Sequence, residues 1–356
     1  MEEAKTKLAG AKEADLKPGQ GTQGAKPAKK KFWTPGVVAL TVVCALIVAA
    51  WFWLMERQIP QDWVASWGYA PTEEVAELEE ALDLTWRGQL IWAAVNPTLE
   101  EAEAFNEYCD SHDAEVSVLG CYAPSEDKVY IYLITDETLK DANKSTAAHE
   151  LLHAAWDRMT ELEQAEVRGW LDELYESDRE WFDEELSTYE DDEWTEEMYT
   201  RAATKRRELP AELEEHYGKY FEDRAQVVQY YENYQEPLNE LNADLDERWA
   251  ELDELDVAIE EERAEYIAAV DEYNGRVERF NICADTPGCF NETTFAWQRQ
   301  QLTAEGDELD AWQEALNERI RDYNQKLAEY NEKEAVLQGL YNRMNSNEAG
   351  EAVEEV

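Results

Sequence analysis

Leu238, Leu245, Leu252, Ile259, Tyr266, Tyr273 and Phe280 recur every seven residues without a gap, and Leu302, Leu309, Leu316, Tyr323, Tyr330 and Leu337 do the same. A strict seven-residue period keeps an apolar seam on one side of an α-helix, so each run predicts a long helix that needs a partner along its length. The loop between the runs holds Cys283 and Cys289, which makes the pair an expected antiparallel coiled-coil hairpin over residues 237–345. Each arm would reach about 60 Å at roughly 1.5 Å rise per residue. The companion seam is poor, because Arg248, Glu262 and Arg276 stand where further apolar residues belong. The arms are therefore expected either to pair with each other or to lie as long helices on another part of the chain. Pro237 is expected to break the helix that precedes the hairpin, and residues 346–356 to form a disordered tail.

A second feature fixes the other end of the chain. Phe32 to Met55 contains no charged residue, and its twenty-residue stretch Gly36–Met55 is long enough to cross a bilayer of roughly 30 Å. Trp33 on one side and Trp51 and Trp53 on the other suit the interfacial belts of a membrane span. Residues 1–31 carry eight lysines against four acidic residues and read as a disordered tail. With Lys29, Lys30 and Lys31 just before the span, the tail is expected in the cytoplasm and everything beyond it outside. A cleaved signal peptide is the competing reading of the same stretch.

Beyond the tail the chain holds 78 acidic and 24 basic residues. Such a surface repels nucleic acid, so no DNA- or RNA-binding role is expected. Cys44 falls inside the expected span, and the other four cysteines form the short-range pairs Cys109/Cys121 and Cys283/Cys289. No C-x-x-C zinc-knuckle spacing occurs, so both pairs are expected as disulfides in an oxidising compartment.

Between these ends, residues 56–71 read as a linker and 72–236 as one domain of α+β class, mostly helical with a small sheet or hairpin. Thr72–Leu82 shows helical spacing, Gln89–Val95 reads as a strand and Thr98–Cys109 as a helix. Val116–Cys121 and Val129–Ile134 form an expected hairpin, with a turn at Pro124–Asp127. Ser145 or Thr146 is the expected N-cap of a helix running to about Met159, and Thr160–Glu163 has capping-box form. A further helix is expected from Leu213 to about Tyr231.

Chemistry concentrates at His149-Glu150-Leu151-Leu152-His153, which uses two of the four histidines. On a helix, residues four apart share a face, so the two imidazoles can bind one metal ion with Glu150 beside them as a proton acceptor. A catalytic zinc takes three protein ligands. A third histidine six residues after the second would be one solution, but Met159 stands there, with Trp156 where that pattern has glycine. The other common solution is a glutamate from a following helix, and Glu173, Glu176, Glu184, Glu185, Glu196 and Glu197 all qualify by spacing.

Four stretches carry a resemblance: Leu119–Tyr122, Tyr130–Tyr132, Thr146–Arg158 and Leu209–Arg224. Together they resemble a group of bacterial membrane-anchored, gluzincin-like zinc metallopeptidases, over roughly residues 85–230 and with a similar coiled-coil tail. The resemblance implies a zincin-like catalytic domain and a Glu ligand from an Asn-Glu-Leu-His segment shortly before the Leu-Pro. The matching positions here are Glu196-Glu197-Met198-Tyr199, so Glu197 becomes the implied third ligand. The flanking Asn and His are absent, which leaves Glu196 as the alternative.

The expected activity is thus hydrolysis of a peptide or protein substrate, with Zn2+ as cofactor and Glu150 as general base and then acid. His216, Tyr217 and Tyr199 are candidates to donate a hydrogen bond to the tetrahedral oxyanion. The coiled coil is an expected site of self-association. The rival expectation is a cell-surface structural or adhesion protein whose metal site is vestigial.

Overall fold

The computed structural model describes residues 35–56, 58–109, 118–189 and 193–347. The chain divides into two units, one ending at Trp53 and the other running from Leu54 onward. In the first lies most of α1 (Pro35–Glu56), whose large apolar side chains are exposed and whose mean hydropathy reaches 2.6. By length and composition it can cross a membrane, a test that a signal sequence also meets. Its lysine-rich predecessor, the expected tail over 1–31, lies outside the described residues.

The second unit begins with α2 (Ile59–Ala65), followed by a short 3-10 turn at Ser66–Gly68. The expected linker is thus structured, and Asp62 is its reason. That carboxylate is buried between Arg87 and Arg158, each 2.8 Å away, and so fastens the segment to the rest of the unit.

Then come α3 (Glu73–Leu82) and α4 (Trp86–Val95), capped by the side chains of Thr72 and Thr85. The strand expected over Gln89–Val95 is therefore a helix. Leu90, Ile91, Trp92 and Val95 are all buried, and a run apolar on every side carries no period that separates helix from strand. The Thr85 cap on the Gly88 backbone N–H decides the matter.

Next in order are β1 (Thr98–Glu100), α5 (Ala102–Tyr108), β2 (Gly120–Ala123) and β3 (Lys128–Tyr132). The helix expected from Thr98 is shortened by β1, which pairs parallel with β3. The hairpin is present with shifted strands: β2 is antiparallel to β3 with Gly120 opposite Ile131, β2 runs on to Ala123, β3 ends at Tyr132 rather than Ile134, and residues 116–117 of the expected first strand lie outside the described residues. In the order β1-β3-β2, β2 is an edge strand. The Cys109–Cys121 disulfide ties it to the end of α5.

Helices α6 (Asp141–Asp157), α7 (Glu161–Ser177), α8 (Arg179–Glu185), α9 (Trp194–Lys205) and α10 (Ala211–Tyr217) follow. α6 is the centre of the unit, with Ala147, Ala148, Leu151, Leu152, Ala154 and Ala155 essentially without exposure and α3, α4, α9, β2 and β3 packed around it. It begins at Asp141, a turn before the expected caps Ser145 and Thr146, which are buried within it. The Thr160 capping box on α7 is present.

α11 (Arg224–Asp285) runs straight through Pro237. The missing N–H and ring clash cost about 3 kcal/mol, and packing on both sides of the proline outweighs that cost. Val227 and Val228 are buried on one side, while Tyr234 and Leu238 bridge to the sheet residues Tyr130 and Tyr132. The hairpin boundary drawn at residue 237 consequently falls inside a helix.

α12 (Glu292–Met344) returns antiparallel to α11, with the Cys283–Cys289 disulfide in the connection. Leu238, Leu245, Leu252 and Ile259 from the first run and Leu316 and Leu337 from the second are buried. The arms therefore pair with each other. The charged residues of the poor seam explain how: Glu262 accepts from Trp312 Nε1 at 2.7 Å and pairs with Arg319 at 2.8 Å, Arg276 pairs with Glu305, and Arg248 lies 3.8 Å from Glu329. Such partly exposed pairs add little stability, but they specify register.

Candidate metal centre

The site is built on one face of α6. His149 and His153 are a turn apart there, their ring centroids 4.9 Å apart and their Nε2 atoms 3.1 Å apart. Both nitrogens also meet the carboxylate of Glu197 on the first turn of α9. Its Oε2 is 3.6 Å from His149 Nε2 and its Oε1 3.3 Å from His153 Nε2. The two imidazole nitrogens and the two oxygens of that one carboxylate thus converge, and one ligand atom from each of the three residues lies within 4.8 Å of the others. Tetrahedral zinc with bonds of about 2.0–2.1 Å separates its ligands by roughly 3.3 Å, so the donor set and spacing fit that ion. Among the described residues, His149, His153 and Glu197 form the one group able to hold a metal.

The neighbours of this triad hold it in orientation. Glu196 accepts from His153 Nδ1 at 2.6 Å, on the ring edge turned away from the shared point, so it orients a ligand rather than serving as one. Of the two residues that the sequence left open, Glu197 faces both rings and Glu196 faces one from behind. Arg201, one turn along α9, reaches Glu197 Oε2 at 3.1 Å and donates to the Tyr189 hydroxyl at 2.7 Å. The Thr200 hydroxyl lies 3.4 Å from His149 Nε2.

Glu150 is buried beside the triad and accepts from the backbone N–H of Tyr122 on β2. The strand comes this close because residue 120 has no side chain. A Cβ on Gly120 would stand 2.5 Å from Thr146 Cγ2 and 2.9 Å from the Glu150 carboxylate.

Electrostatics follow from this burial. Desolvation pushes the Glu150 carboxyl up to about 7, with the Glu197 charge adding to the shift. Burial also lowers His149 to about 4. It works against charging His153 too, yet the hydrogen bonds to Glu196 and Glu197 dominate and push that ring up to about 10. Burial alone would raise Glu197, but its bonds to the two imidazoles win and hold it well below the usual carboxylate range.

The triad opens into a cleft of about 540 Å3, walled by Leu119 and the β2 residues Gly120–Tyr122 on one side and by Tyr189, Glu193, Arg201 and Lys205 on the other. Tyr234 of α11 and Met344 of α12 also line it, so the base of the hairpin is part of the cleft.

His216 and Tyr217, expected as oxyanion donors, do not line this cleft. They are buried in an aromatic cluster, where the Tyr217 hydroxyl donates to the Tyr199 carbonyl at 2.8 Å and His216 Nε2 is 3.1 Å from the Tyr199 hydroxyl. Their spacing along α10 reflects core packing, and Tyr199 belongs to the same cluster. Tyr189 and Arg201 line the cleft instead, and sequence reasoning missed both. The one available signal was Arg201 four residues after Glu197, an i,i+4 ion-pair spacing. The other carboxylates allowed by spacing are not in the triad; Glu185, for one, pairs with Arg201 and Lys205. His112 lies outside the described residues.

Comparisons with protein-family models, with curated proteins and with solved structures return no match. Fold and site thus define the chain by themselves: a mostly helical protein with a three-stranded sheet, two disulfides and a His-His-Glu group of metal-ligand geometry.

Proposed function

We propose that the protein is a membrane-anchored zinc metallopeptidase of gluzincin type, with its cleft outside the cytoplasm. The observation that carries this reading is the convergence of His149, His153 and Glu197 on one point, with the buried carboxylate of Glu150 beside it. The apolar helix α1 behind three lysines, and two disulfides beyond it, support the anchor and the orientation.

In this reading zinc supplies Lewis acidity and a water whose pKa is lowered to about 7. Glu150, held by the Tyr122 N–H, takes a proton from the attacking water and passes it to the leaving amine. The Tyr189 hydroxyl accepts from Arg201, which leaves its own proton free to face the tetrahedral oxyanion. The open edge of β2 suits an extended peptide added as a further strand.

Glu150→Gln tests the reading on the purified full-length chain. The wild-type protein should contain about one zinc per chain and cleave an unfolded polypeptide. The variant should keep the zinc and lose the cleavage. A wild-type protein that binds zinc but hydrolyses no peptide under any condition would favour a structural or adhesive role instead.

A further inference from the structure

The short helix α2 is two-sided in a way that the zinc site does not explain. Asp62 points inward, clamped by Arg87 and Arg158. Trp63, Val64 and Trp67 point outward and more than half of each is exposed, the two indoles stacked edge to face at 4.8 Å. Trp86 is exposed as well, on α4 next to the Arg87 that grips Asp62. Large exposed indoles grouped together mark an interaction surface.

We propose that the face formed by Trp63 and Val64 of α2 and by Trp67 of the 3-10 turn after it beds into the lipid headgroup region of the membrane that α1 spans. This rests on reading Gly36–Met55 as a membrane span. Two residues in sequence, Arg57 and Gln58, separate α1 from α2, a covalent tether of roughly 10 Å at full extension. Tryptophan is the side chain that settles best at that depth, with its ring in the apolar boundary and its N–H toward water. Charge agrees. In a chain of net charge −50, residues 57–72 hold a single acidic group, Asp62, and that group is sequestered. Residues 57–72 thus present no exposed carboxylate to the phosphates of a headgroup layer. The clamp also joins the patch to the cleft, since Arg158 ends the metal helix α6 and pairs with Asp127 at 2.7 Å, at the turn between β2 and β3.

The test uses the full-length chain in phospholipid nanodiscs, in a Cys44→Ser background so that an introduced cysteine is the one free thiol. A nitroxide at Val64→Cys leaves both indoles in place. Its collision rates with oxygen, which partitions into lipid, are compared with those of a water-soluble nickel chelate. Oxygen should dominate at residue 64, and nickel at Leu162→Cys, a control on α7 that is 79% exposed. Adding Trp63→Ser and Trp67→Ser should turn residue 64 toward nickel; no change would overturn the proposal. So would nickel dominance at residue 64 with oxygen still dominant at Ile47→Cys inside α1, an outcome that leaves the span intact. Nickel dominance at residue 47 too would sink the span reading itself. Shielding from both agents with dipolar broadening between labels would assign the patch to a second copy of the chain, against the proposal.

Discussion

Glu196 Oε1 lies 2.6 Å from His153 Nδ1, on the side of the imidazole opposite to the point shared by Glu197 and His149. A carboxylate there fixes the tautomer that leaves Nε2 free as a ligand and raises its basicity. Glu196→Ala is therefore expected to weaken zinc binding by about 10- to 100-fold without abolishing it. Competition titration with a chromogenic chelator measures this, and Glu197→Ala, which removes a ligand, should lose far more. Equal losses in the two variants would contradict the assignment.

Gly120 allows β2 to lie against α6, and a methyl group there would meet Thr146 and the Glu150 carboxylate below van der Waals distance. Gly120→Ala should cost about 1–3 kcal/mol, the range for overpacking, and reduce hydrolysis further by displacing Glu150. Urea midpoints and kcat/KM on the same preparation separate the two effects. A variant with wild-type stability and activity would show that strand and helix can part freely.

The Cys109–Cys121 bond closes a loop of twelve residues in separation and holds the edge strand that walls the cleft. Replacing both cysteines by serine is expected to cost about 3 kcal/mol through loop entropy. Limited proteolysis should then cut between α5 and β2 first. The tip disulfide Cys283–Cys289 is remote from the cleft, so its removal should leave peptide hydrolysis unchanged.

His216 gives the fold a pH dependence of defined sign. Burial, with the Lys219 ammonium 3.3 Å from Nδ1, lowers its pKa from the ordinary 6.5 to about 3. The unfolded chain therefore binds a proton between these values that the folded chain does not. The contribution is intact above about 6.5 and is lost progressively as pH falls towards 3. Thermal midpoints of His216→Phe should fall less steeply with acid over this window than those of the wild type; parallel curves would refute the account.

The parts of the structure legible in sequence are those set by short-range geometry. Seven-residue spacing forces Leu238 to Ile259 onto one seam, and four-residue spacing puts His149 and His153 on one face, whatever surrounds them. The cysteine pairs are likewise close in sequence. What failed depended on distant partners. Gln89–Val95 is apolar all round, so tertiary burial and the Thr85 cap, rather than any period, make it helical. Pro237 is carried by packing from both sides. His216 and Tyr217 have a polar pattern suited to a site, yet their partners are core tyrosines. Asp62 meets Arg158 across 96 residues, a contact that no local rule anticipates.

Because α11 continues unbroken from Tyr234 at the cleft wall to Cys283, the far end of the stalk is held roughly 70 Å away along one stiff rod. Anything captured out there is kept at arm's length from the group of His149, His153 and Glu197. Only something about as long as that rod could touch both places at once, and the same two helices that carry the outer end also border the opening, through Tyr234 and Met344.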